Sequence, residues 1–151
     1  MSIEATLAQK GITLPAAPAP AANYVPFVQT GNLIFVSGQI SQDEGGLIKG
    51  RLGDGMSVDE GAAAARRCGL SLIAQLKAAV GDLDRVRRVV KLTGFVNSTP
   101  DFTDQPKVIN GCSDLMVEVF GEAGRHARAA VSAPALPLGV AVEIEAIFEV
   151  A

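Results

Sequence analysis

The sequence predicts an α+β fold in which a mixed β-sheet carries two helices on one face. Three observations lead there. Apolar segments follow one another as strand, strand, short strand, helix, strand, helix, strand, strand. The closing segment VAVEIEAIFEV alternates strictly, with Val142, Ile144, Ala146, Phe148 and Val150 on one face and Glu143, Glu145, Ile147 and Glu149 on the other. Hydrophobic residues make up 48% of the chain but aromatics only 5%, so the core is built from Ala, Val, Leu and Ile and is light. A light core beneath a sheet covered on one side predicts a homo-oligomer whose subunits pack their open faces together.

The elements follow in order. Ser2 caps a short helix over Ile3 to Lys10 that Gly11 ends, and LPAAPAPAAN then forms an extended arm, because proline-rich chain propagates neither helix nor sheet. We therefore divide the chain into an N-terminal helix and arm, residues 1–23, and a domain, residues 24–151. YVPFVQTGNLIFVSGQIS reads as two strands about the turn Thr30-Gly31-Asn32, and GGLIKGRLGDG as a third short element.

Ser57-Val58-Asp59-Glu60 is a capping box that starts a helix running to Val80, with Gly81 as its stop. Leu70, Leu72, Ile73 and Leu76 supply its apolar side, and Arg66, Arg67 and Lys77 face water. VRRVVKLTGFVN is rich in β-branched residues and reads as a strand. A second helix follows, with Asp104 as N-cap, Pro106 in its first turn and Gly121 or Gly124 at its end. Arg125 to Ser132 and Val140 to Val150 are the last two strands, joined by APALPLG.

Several function classes are disfavoured. A net charge of −3 with no basic block argues against a nucleic-acid partner. The N-terminal stretch has neither a signal-peptide pattern nor an apolar span of about 20 residues, so a soluble, cytoplasmic protein without a membrane partner is expected. Cys68 and Cys112 are 44 positions apart, outside any metal-ligand spacing, and read as reduced and buried; no metal site is expected. No glycine-rich phosphate loop follows a strand, so no nucleotide cofactor is expected.

Two features hold chemistry. The acidic face of the last strand is either solvated or supplies a cleft carboxylate that positions water. Arg128 sits among small neighbours in ARAAV, and either forms a salt bridge to Glu143 or Glu145 or presents a guanidinium fork to a carboxylate ligand. The single histidine, His126, lies two residues from Arg128 on the same face; nothing in the sequence pairs it with a nucleophile, and it reads as solvated or capping.

LIFVSGQI, FVNSTPDFTDQPKVIN, ARAAVSAPALP and VEIEAIFEV occur in the order seen in the Rid family (RidA, YjgF-like, also named endoribonuclease L-PSP), and from about Tyr24 to Val150 the chain resembles it. The resemblance implies a chorismate-mutase-like fold, a homotrimer with clefts at subunit interfaces, and hydrolysis of enamines and imines to 2-oxo acids and ammonia without cofactor. It implies that Arg128 binds the substrate carboxylate and Glu143 holds the attacking water, with Tyr24, Ser37, Gly38, Asn110 and main-chain groups near Ala130 around the substrate. It turns the preferred reading of Arg128 from salt bridge to carboxylate clamp. Asn23, Ala129 and the longer 43–60 segment depart from the family pattern and mark a longer branch. The alternatives are a non-catalytic binding module for small carboxylates such as 2-oxo acids and, less favoured, an endoribonuclease.

Overall fold

The computed structural model describes residues 1–151. Its elements are α1 (Ile3–Gln9), β1 (Phe27–Thr30), β2 (Leu33–Ile40), β3 (Gln42–Asp43), β4 (Gly46–Leu47), α2 (Val58–Val80), β5 (Val86–Asn97), α3 (Gln105–Phe120), β6 (Ala127–Ala133) and β7 (Val142–Val150). Five strands form one mixed sheet in the order β1-β2-β7-β5-β6, in which only the β5–β6 pair is parallel. The last strand in sequence is thus the middle strand of the sheet.

That placement follows from the alternation in β7. Val142, Ile144, Ala146, Phe148 and Val150 are buried beneath α2 and α3, together with Ile34 and Val36 of β2 and Val89, Leu92 and Val96 of β5. Each large aliphatic or aromatic side chain removed from water here contributes about 1.5–3 kcal/mol relative to exposure. On the opposite face Val28 pairs with Phe35, Phe35 with Ile147, and Phe95 lies between Glu143 and Val131. Val28, Phe35 and Val131 are exposed there, so this face is open and partly apolar.

Helix α2 begins as the capping box predicts: the Ser57 hydroxyl accepts from Glu60 N at 3.1 Å, and the Glu60 carboxylate accepts from Ser57 N at 3.0 Å. It is more deeply enclosed than an apolar stripe requires, since Cys68 through Leu76 are all buried. The sheet covers one side and α3 a second. The N-terminal segment covers more, with Ile3, Ile12 and Leu14 packed on the core and Glu4 bridging Lys77 at 2.8 Å. The contact with α3 is close because it runs through glycines. A Cβ on Gly111 would overlap the main-chain carbonyl of Ala62, and one on Gly69 would come within 2.8 Å of Leu115 Cδ2. Both cysteines are free and buried, Cys112 in this seam and Cys68 with its thiol toward Val142 O of β7, and burial pushes the Cys112 thiol up to about 12.

Four local expectations are corrected. The segment read as a third strand contributes only Gly46–Leu47, which pairs with β3 in a separate two-stranded hairpin outside the main sheet. Asp104 occupies the N-cap position of α3, but its side chain makes no capping bond; the Gln105 amide instead donates to Phe102 O at 2.8 Å. Strand β6 starts at Ala127, because Arg125 N is used to close a 3₁₀ turn on Glu122 O. Strand β7 starts at Val142, because Val140 and Ala141 are taken up in contacts with Lys49 and Ile48.

The glycine seam yields a stability test. Gly111→Ala forces α2 and α3 apart against main chain, which cannot rotate away, and is expected to destabilise the fold by about 1–3 kcal/mol. Urea denaturation checks this; an unchanged midpoint would show that the two helices have slack.

Candidate functional site

Glu143 stands on the open face, opposite Ile40 of β2 and Phe95 of β5. Beside it, β2 bulges: Val36 pairs with Ala146 and Gln39 with Ile144, so Ser37 and Gly38 together oppose Glu145 alone. The bulge brings main chain against the carboxylate, and a Cβ on Gly38 would collide with Glu143 Oε2. Only glycine fits.

Ser37 holds the neighbouring segment. Its hydroxyl donates to Val25 O at 2.7 Å and its N–H to Pro26 O at 2.9 Å, which fixes the chain that carries Tyr24. Tyr24, Gly38, Ile40, Leu47, Leu138 and Glu143 share a cleft of about 530 Å³ with residues of the N-terminal arm. Glu143 is half-buried, and burial, followed by the adjacent Glu145 charge, raises its proton affinity above the ordinary value of 4.5.

Arg128 lies elsewhere. Strand β6 is an edge strand, and its pairing with β5 sets Arg128 beside Leu92, on the helix side of the sheet. Its Nη1 donates to Asn110 Oδ1 at 2.8 Å and to Ser113 Oγ at 3.1 Å, both on α3. His126 completes the cluster: Nδ1 lies 2.6 Å from Gly124 O and Nε2 lies 2.8 Å from Ser113 Oγ. A carbonyl can only accept, so Nδ1 carries the proton, and in the neutral ring Nε2 accepts from the Ser113 hydroxyl. Ala130, farther along β6, pairs with Gly94 and packs at the edge of the core.

The ion pair from Arg128 to Glu143 or Glu145 is not formed. Strand β5 separates β6 from β7, and the arginine and the glutamates leave the sheet on opposite faces. The site residues therefore fall into two groups. Tyr24, Gly38 and Glu143 line the cleft, with Ser37 anchoring the Tyr24 segment behind it, whereas Arg128, Asn110 and Ala130 gather at the β6 edge. Only one guanidinium nitrogen of Arg128 is engaged within the chain, which leaves part of its fork available to a ligand.

The sequence placed neither Ser113 nor the arm at a site. Ser113 follows Asn110 by three positions, the spacing that puts two side chains on one helix face, and that signal was available. The arm had none, because a Pro/Ala run does not indicate what it packs on. No group of three or more His, Cys, Asp or Glu side chains is placed to hold a metal ion, and no helix is long and apolar enough to cross a membrane.

A family model described as "YjgF/chorismate_mutase-like, putative endoribonuclease" matches residues 4–149. Protein TCP17 of Trypanosoma cruzi is 55% identical over 149 residues, covering 97% of this chain and 93% of that protein. The crystal structure of Atu1372, a protein of unknown function from Agrobacterium tumefaciens, is 47% identical with a TM-score of 0.90 and covers 99% of this chain and 94% of its own. A structure of Escherichia coli TdcF with bound serine is 26% identical with a TM-score of 0.65, over 89% of this chain and 94% of that one.

The raised proton affinity of Glu143 is measurable by carboxyl NMR titration. Glu143 is expected to titrate above 4.5, and Glu145→Gln to lower its midpoint by removing the like charge. For stability the sign is equally defined: the folded state holds this proton more tightly than the unfolded chain, so the protonated carboxyl favours folding at low pH. That advantage is lost as pH rises from the ordinary carboxylate value through the folded one. Glu143→Gln should accordingly raise the thermal midpoint at neutral pH.

Proposed function

The chain belongs to the YjgF/chorismate-mutase-like (Rid) family, and from that premise we propose that it is a cofactor-independent enamine/imine deaminase. In this reading three copies close into a ring, and each cleft takes Glu143 from one copy and Arg128 from the next. One observation carries the reading: a half-buried carboxylate and a partly free guanidinium, both suited to a small imino acid, stand on opposite faces of one sheet. A second copy can bring them together. A head-to-tail contact that closes on itself would repeat the same junction at every interface and cover the exposed Val28, Phe35 and Val131.

The chemistry follows from the side chains. Arg128 binds the substrate carboxylate through its fork, while Asn110 and Ser113 hold the guanidinium from behind. The imine carbon then lies against a water held by Glu143 and by main-chain groups near Ala130 on the β6 edge. Glu143 takes a proton from that water as its oxygen attacks C2 and the C=N electron pair moves to nitrogen. Glu143 returns the proton to that nitrogen to give the carbinolamine, whose amine then takes a second proton from solvent. Ammonia leaves as the hydroxyl proton is lost, and the C=O of the 2-oxo acid forms. A carboxylate with raised proton affinity is a stronger base than an exposed one. Positioning carries most of the acceleration, since such imines hydrolyse on their own.

A second reading is retained because TdcF was crystallised with bound serine, a small carboxylate. The same cleft could bind a 2-oxo acid without turnover, as a regulatory or buffering module.

The test uses imines generated in situ by an amino-acid oxidase, with ammonia release as readout. Arg128→Ala and Glu143→Gln should each abolish the acceleration. Mixed after unfolding and refolding together in equal amounts, the two inactive variants should recover roughly a quarter of the wild-type rate, since each cleft draws its halves from different copies. No recovery would place both residues in separate roles, and a monomer by sedimentation would remove the ring. Saturable 2-oxo acid binding without any turnover would select the second reading.

A further inference from the structure

We infer that the N-terminal arm is a fixed wall of the Glu143 cleft, latched by Gln75, and that it selects ligands carrying a bulky apolar side chain. The inference rests on the carboxylate-ligand reading above for the cleft, and extends it to the part of the ligand that neither Arg128 nor Glu143 touches.

The latch is a buried amide. Gln75 lies in the middle of α2 at 1% exposure, and its Nε2 donates to Pro18 O at 2.6 Å. The same nitrogen lies 3.5 Å from Gln39 Oε1, and Gln39 Nε2 donates to Ser37 O at 2.9 Å. The amides thus link the arm to the β2 bulge that seats Gly38 against Glu143. Without the arm the Gln75 donors would lose their short contact in a buried setting, a loss that opposes undocking. Proline-rich chain also has little conformational freedom to lose when it docks.

The wall determines the character of the cleft. Pro18, Ala19, Pro20 and Ala21 line one side, and Tyr24, Leu47 and Leu138 line others; Glu143 is the only charged lining side chain. Leu138 is the one non-glycine residue with positive φ, at 60°, and it is exposed. A branched aliphatic residue held in the left-handed region is strained, and here the strained conformation presents its side chain at the cleft mouth. In the single chain the cavity measures about 530 Å³, more than a three-carbon acid fills, and the arm side of it lies away from the β6 edge that would carry Arg128 in from the next copy. A 2-imino or 2-oxo acid with a branched or aromatic side chain would place its carboxylate and C2 at the polar end and its side chain along the Pro/Ala wall.

Calorimetry with pyruvate and 4-methyl-2-oxopentanoate tests this on the assembled protein, independently of turnover. Wild type should bind the larger acid more tightly, by at least about tenfold for the added apolar carbons. Ala21→Phe, which fills the wall side of the cleft, should collapse that ratio. Gln75→Met, which removes the amide at similar volume, should also collapse it, while rendering residues 13–23 sensitive to limited proteolysis. A wild-type preference for pyruvate, or a ratio unmoved in both variants, overturns the inference and leaves the deaminase reading intact. Size discrimination without ammonia release from any imine supports the wall and removes the deaminase; binding of neither acid overturns the inference, and ammonia release from imines then decides the deaminase by itself.

Discussion

The two-residue period of β7 is the constraint on which the rest of the molecule depends. Because successive side chains leave a strand on opposite faces, the central strand buries Val142, Ile144, Ala146, Phe148 and Val150 under the helices while presenting Glu143 and Glu145 to the other side. A one-residue slip would exchange the two sets and bury three glutamates, so the register is strongly held. The core and the candidate site are therefore two consequences of one alternation. The carboxylate stands on the most enclosed strand of the sheet, with a neighbour on each side, which gives it a fixed position and partial burial.

Around that strand the structure uses small residues where close approach is needed and buried polar bonds where position is needed. Gly38 allows main chain to approach Glu143, and Gly111 allows α3 to approach α2. Ser37 ties the Tyr24 segment to the bulge, and the Gln75–Gln39 pair ties the arm to it. The arginine has a separate support, built from Asn110, Ser113 and His126 at the far edge. The two supports share no direct hydrogen bond, which accords with the proposal that they meet across an interface.

Much of this was legible in the sequence. The capping box at Ser57, the alternation from Val142 and the β-branched run from Val86 each state a local preference that the packed structure keeps, because local hydrogen bonds and periodicity point the same way as burial. Arg128 stood out as a charged residue among small apolar neighbours, whereas Glu143 was separated from the other glutamates of its strand only by the family resemblance. The Asp104 cap and the short element after Gly45 were read less well. Both depend on side chains and glycines that can satisfy several local geometries, and neighbouring contacts chose among them.

By itself the sequence determined the fold class, the principal helices and strands, the identity of the charged residues and the resemblance that groups them. Strand order came only from the tertiary structure: β7 inserts between β2 and β5, β6 is left at an edge, and Arg128 and Glu143 face opposite ways. The docking of the arm was decided there too, by an amide on α2 and a carbonyl 57 residues earlier in the chain. Local pattern records which face a residue takes within its own element. Which elements become neighbours depends on how all the apolar faces are covered at once, and that is a property of the whole chain.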